Sequence, residues 1–157
     1  MARLAVFALT LGALAQRAAA EPLKLEAGKP VTLTCQTQAI VVKDNGPAPT
    51  RGSVTLRVEL KDPATASTWS PVSADEAHKG AFANTLKTAC AAGCPMSLSA
   101  GGDAQLWAPA PKALDKLAAE EALLLAVIKA DTLSLKASSF RGQAIEALES
   151  GTCVVSP

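Results

Sequence analysis

The chain has 157 residues, with 15 basic and 14 acidic side chains, a single histidine, two tryptophans and no tyrosine. So even a balance offers no basic stripe for nucleic acid or an anionic membrane surface. One histidine excludes the two- and three-histidine zinc sites of metallohydrolases, and no serine elbow, P-loop or dinucleotide-binding glycine pattern is present.

The first twenty residues have the three parts of a secretory signal peptide. Arg3 gives a positive start, Leu4 to Ala15 an apolar stretch too short to span a bilayer, and Ala18-Ala19-Ala20 an A-x-A cleavage signal before Glu21. Ala13-Leu14-Ala15 offers an alternative cut. Residues 1–20 are therefore read as the signal peptide and 21–157 as one exported domain. Processing removes Arg3 and Arg17 and leaves 137 residues with 13 basic against 14 acidic side chains, a net charge of −1. The longest later apolar run, Ala122 to Ile128, is too short for a transmembrane helix. No cysteine stands at the cut to carry a lipid. The expected location is periplasmic or secreted, without stable membrane insertion.

"VTLTCQTQAIV" alternates from Val31, with Leu33 and Cys35 on one face and Thr32, Thr34 and Gln36 on the other. "VTLRVELK" repeats the pattern through Val54, Leu56, Val58 and Leu60. Period-two alternation predicts half-buried antiparallel strands. "KDNGPAPTRG" between them reads as a turn or surface loop. Ser73 and Glu76 form the two ends of a capping box, which predicts a helix with Phe82, Leu86 and Cys90 in an apolar row. Gly93 would end it in the left-handed C′ position, and Pro95 would forbid continuation. "MSLSAGGDAQLW" predicts strand, glycine turn and strand. From Lys112 to Ile128 the spacing of Leu114, Leu117, Glu121, Leu124 and Ile128 predicts a helix, although "ALLLAVI" also fits a buried strand. "TLSLKA" reads as a strand, "FRGQAIEALESG" as a helix ending at Gly151, and "TCVV" as a last strand. The expected fold class is α+β: a small single domain with an antiparallel sheet, helices packed on one face and disulfide staples.

Cys35, Cys90, Cys94 and Cys153 form an even set in an exported chain, which predicts two disulfides. With Gly93 at C′, Cys94 folds back on the last helical turn that carries Cys90. This favours Cys90–Cys94 and leaves Cys35 for Cys153. "CAAGCP" also resembles the C-x-x-x-C-P motif of the Sco-type copper chaperones, over six residues. The resemblance implies a thioredoxin-like fold and a copper site of two cysteines and a downstream histidine. Independently, two thiolates and the Met96 thioether would suit Cu(I). His78 lies upstream instead, about 18 Å from Cys90 along an intact helix, so a local structural disulfide is the preferred reading.

Asp75 and His78 stand one helical turn apart, which reads as a solvated surface pair rather than an oriented base. Glu120 and Glu121 are adjacent and do not converge. Trp69 and Trp107 read as core residues, with exposed binding anchors as the other possibility. No catalytic or cofactor-binding residue is assigned and no cofactor is expected. The expected function is that of a small exported, non-catalytic binding or accessory protein, with an unknown protein or small ligand as partner. The other reading is a copper-binding or thiol-redox protein using Cys90, Cys94 and Met96.

Overall fold

A computed structural model describes residues 22–42, 49–75, 80–82 and 90–156. Eight strands follow one another around a closed antiparallel barrel: β1 (Val31–Val41), β2 (Thr50–Glu59), β3 (Thr68–Ala74), β4 (Cys94–Leu98), β5 (Ala104–Ala108), β6 (Ala122–Ile128), β7 (Ser134–Arg141) and β8 (Ala144–Ser156). Each strand pairs with its sequence neighbours, and β8 returns to β1 over ten positions, from Thr32↔Ser156 to Val41↔Ala147. The narrowest seam is β3–β4, where only Thr68↔Pro95 and Trp69↔Cys94 pair.

The alternation read in β1 and β2 is the one the barrel uses. Leu33, Cys35, Val54, Leu56 and Val58 face inward and are fully buried. Eight strands enclose just enough space for side chains, and here Trp69, Leu106, Ile128 and Leu135 complete the packing. Burial of each such aliphatic or aromatic side chain is worth about 1.5–3 kcal/mol.

The α+β expectation is overturned, because the fold is all-β and no α-helix of seven or more residues occurs among the described residues. Ser73 is no N-cap. It lies in β3 opposite Thr55, and Asp75 accepts hydrogen bonds from the Ser53 N–H (2.8 Å) and Oγ (3.3 Å). Of the helix expected after it, only Ala81 and Phe82 are described as helical; residues 76–79 and 83–89, with His78 and Leu86, lie outside the described residues. The helix expected from Lys112 to Ile128 is instead a 3₁₀ turn at Leu114–Lys116 followed by β6. Ala126 and Ile128 face the interior, while Leu123 lies in a second apolar cluster with Phe140 and Leu117. Both sides of β6 are thus covered, which is why it reads as a continuous apolar run.

The helix expected over Phe140–Gly151 is the β7–β8 hairpin. Gly142 turns it with φ +55°, where a Cβ would come within 2.8 Å of the Ala119 carbonyl oxygen, and its N–H donates to the Glu121 carbonyl (2.8 Å). Segment 109–121 lies over the outside of the barrel, placing Leu117 against Leu123 and Phe140. Outside this cover, β2, β1, β8 and the first part of β7 leave a stretch of wall exposed.

Candidate functional site

The interior is not uniform along the barrel. At one end the inward positions are small: Ala39 on β1, Ala137 on β7 and Ala147 on β8. Thr37, Ser139 and Glu149 are the polar residues buried among them, Glu149 only 3% exposed. Phe82 fills this end. Its ring meets Trp69 edge-on, with centroids 5.9 Å apart at 87°, and its N–H donates to Glu149 Oε2 at 3.4 Å. Trp69 in turn donates from Nε1 to the Trp107 carbonyl at 2.8 Å. Trp69 is therefore a core residue, whereas Trp107 is half-buried on β5. The Ser139 hydroxyl has no hydrogen-bond partner among the described residues. Of these polar groups, Glu149 anchors the segment at Phe82.

The cysteines all lie in the core. Cys35 is bonded to Cys153, directly opposite it across β1–β8, and Cys90 is bonded to Cys94. Met96 faces inward on β4, two residues beyond Cys94. Cys90, Cys94 and Met96 are each at most 3% exposed, so the soft sulfur set is brought together but kept from solvent. No cluster of three or more His, Cys, Asp or Glu side chains with metal-site geometry occurs among the described residues. Glu120 and Glu121 lie in the turn before β6. Glu121 binds Lys112 Nζ (2.6 Å) and the Ala118 N–H (3.1 Å), while Glu120 offers its backbone carbonyl to Arg141 (3.3 Å).

Among the described residues, the widest open feature lies on the outer wall of β2, β1, β8 and β7. Strand register sets out three rows across the sheet. Arg51, Gln38, Ser150 and Lys136 stand side by side on β2, β1, β8 and β7, all exposed. One row over are Ser53, Gln36, Thr152 and Ser134. On the other side Ile40 faces Leu148, with Ser138 beyond it. Ile40 and Leu148 are 45% and 41% exposed.

This wall is dented. A depression of about 630 Å³ runs over the two polar rows, and a second of about 280 Å³ adjoins it over Ile40, Leu148 and Pro49; they share Gln38, Lys136 and Ser150. Gly151 lies at the bottom. A Cβ there would stand 2.2 Å from the Gln36 carbonyl oxygen and 2.8 Å from Thr37 Cγ2. Only a residue without a side chain lets β8 press this closely on β1, and with no side chain at Gly151 the backbone itself lines the depression.

Arg51 and Lys136 have no ion-pair partner among the described residues. Lys112, Lys129 and Arg141, on other parts of the surface, each hold a carboxylate. Of the wall residues, the sequence pattern singles out Gln36, as a position opposite the apolar face of β1, and Gly151, as the end of an expected helix that includes Leu148. The outward alternation of β1 and β2 was visible, but with β8 read as a helix the rows could not be assembled. No protein-family model, curated protein or solved structure matches this chain. Any functional reading therefore stands on this geometry.

Proposed function

We propose that the protein is an exported, non-catalytic binding or accessory protein, and that its working surface is the dented outer wall of β2, β1, β8 and β7. The observation that carries the reading is this contrast: among the described residues the barrel interior is packed with apolar side chains, while a polar wall with an apolar margin is exposed. A contiguous exposed apolar patch rimmed by polar residues marks a contact surface, and Ile40 and Leu148 stand side by side on this wall. Two disulfides are compatible with an oxidising compartment, and the signal-like residues 1–20 favour the periplasm or the exterior. Apart from Ile40, the exposed outward residues of β1 and β2 are polar, among them Gln36 and Gln38, Arg51 and Arg57. A barrel embedded in lipid needs an apolar outer band instead, which supports a barrel in water. Two cations in one row fall short of a nucleic-acid footprint. Nothing in the arrangement favours the copper or thiol-redox reading, since its sulfurs are bonded or enclosed.

The test places a photo-crosslinking residue at Gln38 in one version and at Gln143, in the β7–β8 turn, in another. Both are expressed with residues 1–20 in a Gram-negative host. The exported form should begin at Glu21, and a discrete adduct should arise from Gln38 but not from Gln143, disappearing with Ile40→Glu. Equal labelling from both positions, or no adduct from Gln38, refutes the assignment of this wall.

A further inference from the structure

We infer that the partner of this wall is an acidic, extended protein segment of the form Glu-x-Leu-x-Glu (or its aspartate equivalent), laid across the strands with one carboxylate on Arg51 and the other on Lys136. This rests on the reading of the wall as the binding face, and it adds the chemistry of what is bound. Arg51 and Lys136 are the two ends of a single four-strand row. Three interstrand spacings of about 4.8 Å put their backbones roughly 14 Å apart. An extended chain advances about 3.3 Å per residue and presents alternate side chains to one side. Residues i and i+4 therefore span about 13 Å, and i+2 points the same way between them.

The middle position falls over Gln38 and Ser150, beside the exposed Ile40 and Leu148. An aliphatic side chain suits that margin, and the Gln38 amide and Ser150 hydroxyl can bond to the peptide backbone. Arg57 and Lys61 also have no ion pair among the described residues, but they share their stretch of surface with Glu59, whereas the row from Arg51 to Lys136 holds no acid. Among the described residues, Asp75, held by Ser53 at the edge of β2, is the outward acid that register places closest, and it pairs with neither cation. Glu149, which neighbours the row in sequence, points into the barrel. Two cations at matched spacing without a carboxylate between them attract an anionic partner and fix its register. A carbohydrate is the weaker fit: the three rows contain no aromatic side chain on which a sugar ring could stack.

The test is an array of synthetic peptides on a Ser/Gly background, probed with the intact, oxidised protein at low salt. The peptides carry two glutamates at increasing separation, with or without a central leucine. Binding should peak at Glu-Ser-Leu-Ser-Glu and weaken with added salt. It should fall about tenfold in Arg51→Glu/Lys136→Glu, by loss of two exposed charge pairs. The same variant should now prefer Lys-Ser-Leu-Ser-Lys, a gain that misfolding cannot imitate. Lys112→Glu should bind like the parent.

No peptide binding above background, or unchanged binding after the double charge reversal, overturns the acidic-segment proposal. So does capture of oligogalacturonate through the same cations without any peptide binding, which would reassign the face to an anionic sugar. Binding that is lost with Ile40→Glu but not with charge reversal overturns the charge chemistry and leaves the wall as binding face. Peptide binding indifferent to both changes places the contact elsewhere and removes both readings.

Discussion

Gly151 shows how one absent side chain shapes a surface. Besides Thr37 Cγ2 at 2.8 Å, its neighbours on β1 are backbone atoms, the Gln36 carbonyl oxygen and the Thr37 Cα, at 2.2 and 2.9 Å from where a Cβ would stand. Backbone cannot swing aside as a flexible side chain can, so Gly151→Ala must part β8 from β1. The expected cost is about 1–3 kcal/mol, the usual range for overpacking, read as a lower urea midpoint with an unchanged m-value. Faster amide exchange at Gln36 and Thr37 should accompany it as the pairing loosens. Gly101→Ala is the contrasting case, because its nearest atom is Ser99 Oγ at 3.8 Å; it should be close to neutral. Equal effects from the two substitutions would show that Gly151 is not where the strands are tightest.

Hairpins depend on charged ties of a different kind. Asp103, at the β4–β5 turn, binds Lys129 Nζ at 2.6 Å and the Ala130 N–H at 3.1 Å, joining that turn to the one after β6. The Lys129 hydrogen bond, followed by the Ala130 N–H, holds the Asp103 carboxyl below its usual range. Glu121 is lowered likewise by Lys112 and then by the Ala118 N–H. A carboxylate with a depressed folded pKa contributes stability that is complete above its unfolded pKa and is lost as pH falls through the folded one. The thermal midpoint should therefore decline from about pH 5 downward, and the decline should be shallower in Asp103→Asn/Glu121→Gln. A parallel acid limb in that variant would mean these ties carry no net stability, the common fate of exposed pairs.

The same scale decides what could be read from sequence. β1 and β2 were legible because their inward residues are apolar and their outward ones polar. β8 was not, because its pattern is inverted in the middle: Leu148 faces solvent while Glu149 is buried under Phe82. With Ala, Glu and Leu in that order, local propensity speaks for helix, and only closure of the barrel makes the segment a strand. β6 hid for the opposite reason, since the cover from Leu117 lets both of its faces be apolar. The candidate site was lost with β8, because its rows exist only when β1 and β8 are paired.

At the scale of the molecule, the barrel is closed by strands from the two ends of the chain. Nothing local favours β1–β8 pairing; it brings together cysteines 118 residues apart, and such closure carries a high loop entropy. The Cys35–Cys153 crosslink removes most of that entropy from the unfolded chain, by about 5 kcal/mol in the loop-length account. Cys90–Cys94 closes a loop of sequence separation four, worth only about 2 kcal/mol on the same account. Cys35→Ala/Cys153→Ala should thus lower the denaturant midpoint much more than Cys90→Ala/Cys94→Ala. The second variant should keep wild-type peptide binding, because neither of its cysteines lies on the outer wall. The reverse order of stability would assign the short bridge a larger task than its loop length allows. It stands between the segment of Ala81 and Phe82 and β4, so the loss would be that of the packing Phe82 makes inside the barrel, and amide exchange should then quicken first at Trp69 and Glu149.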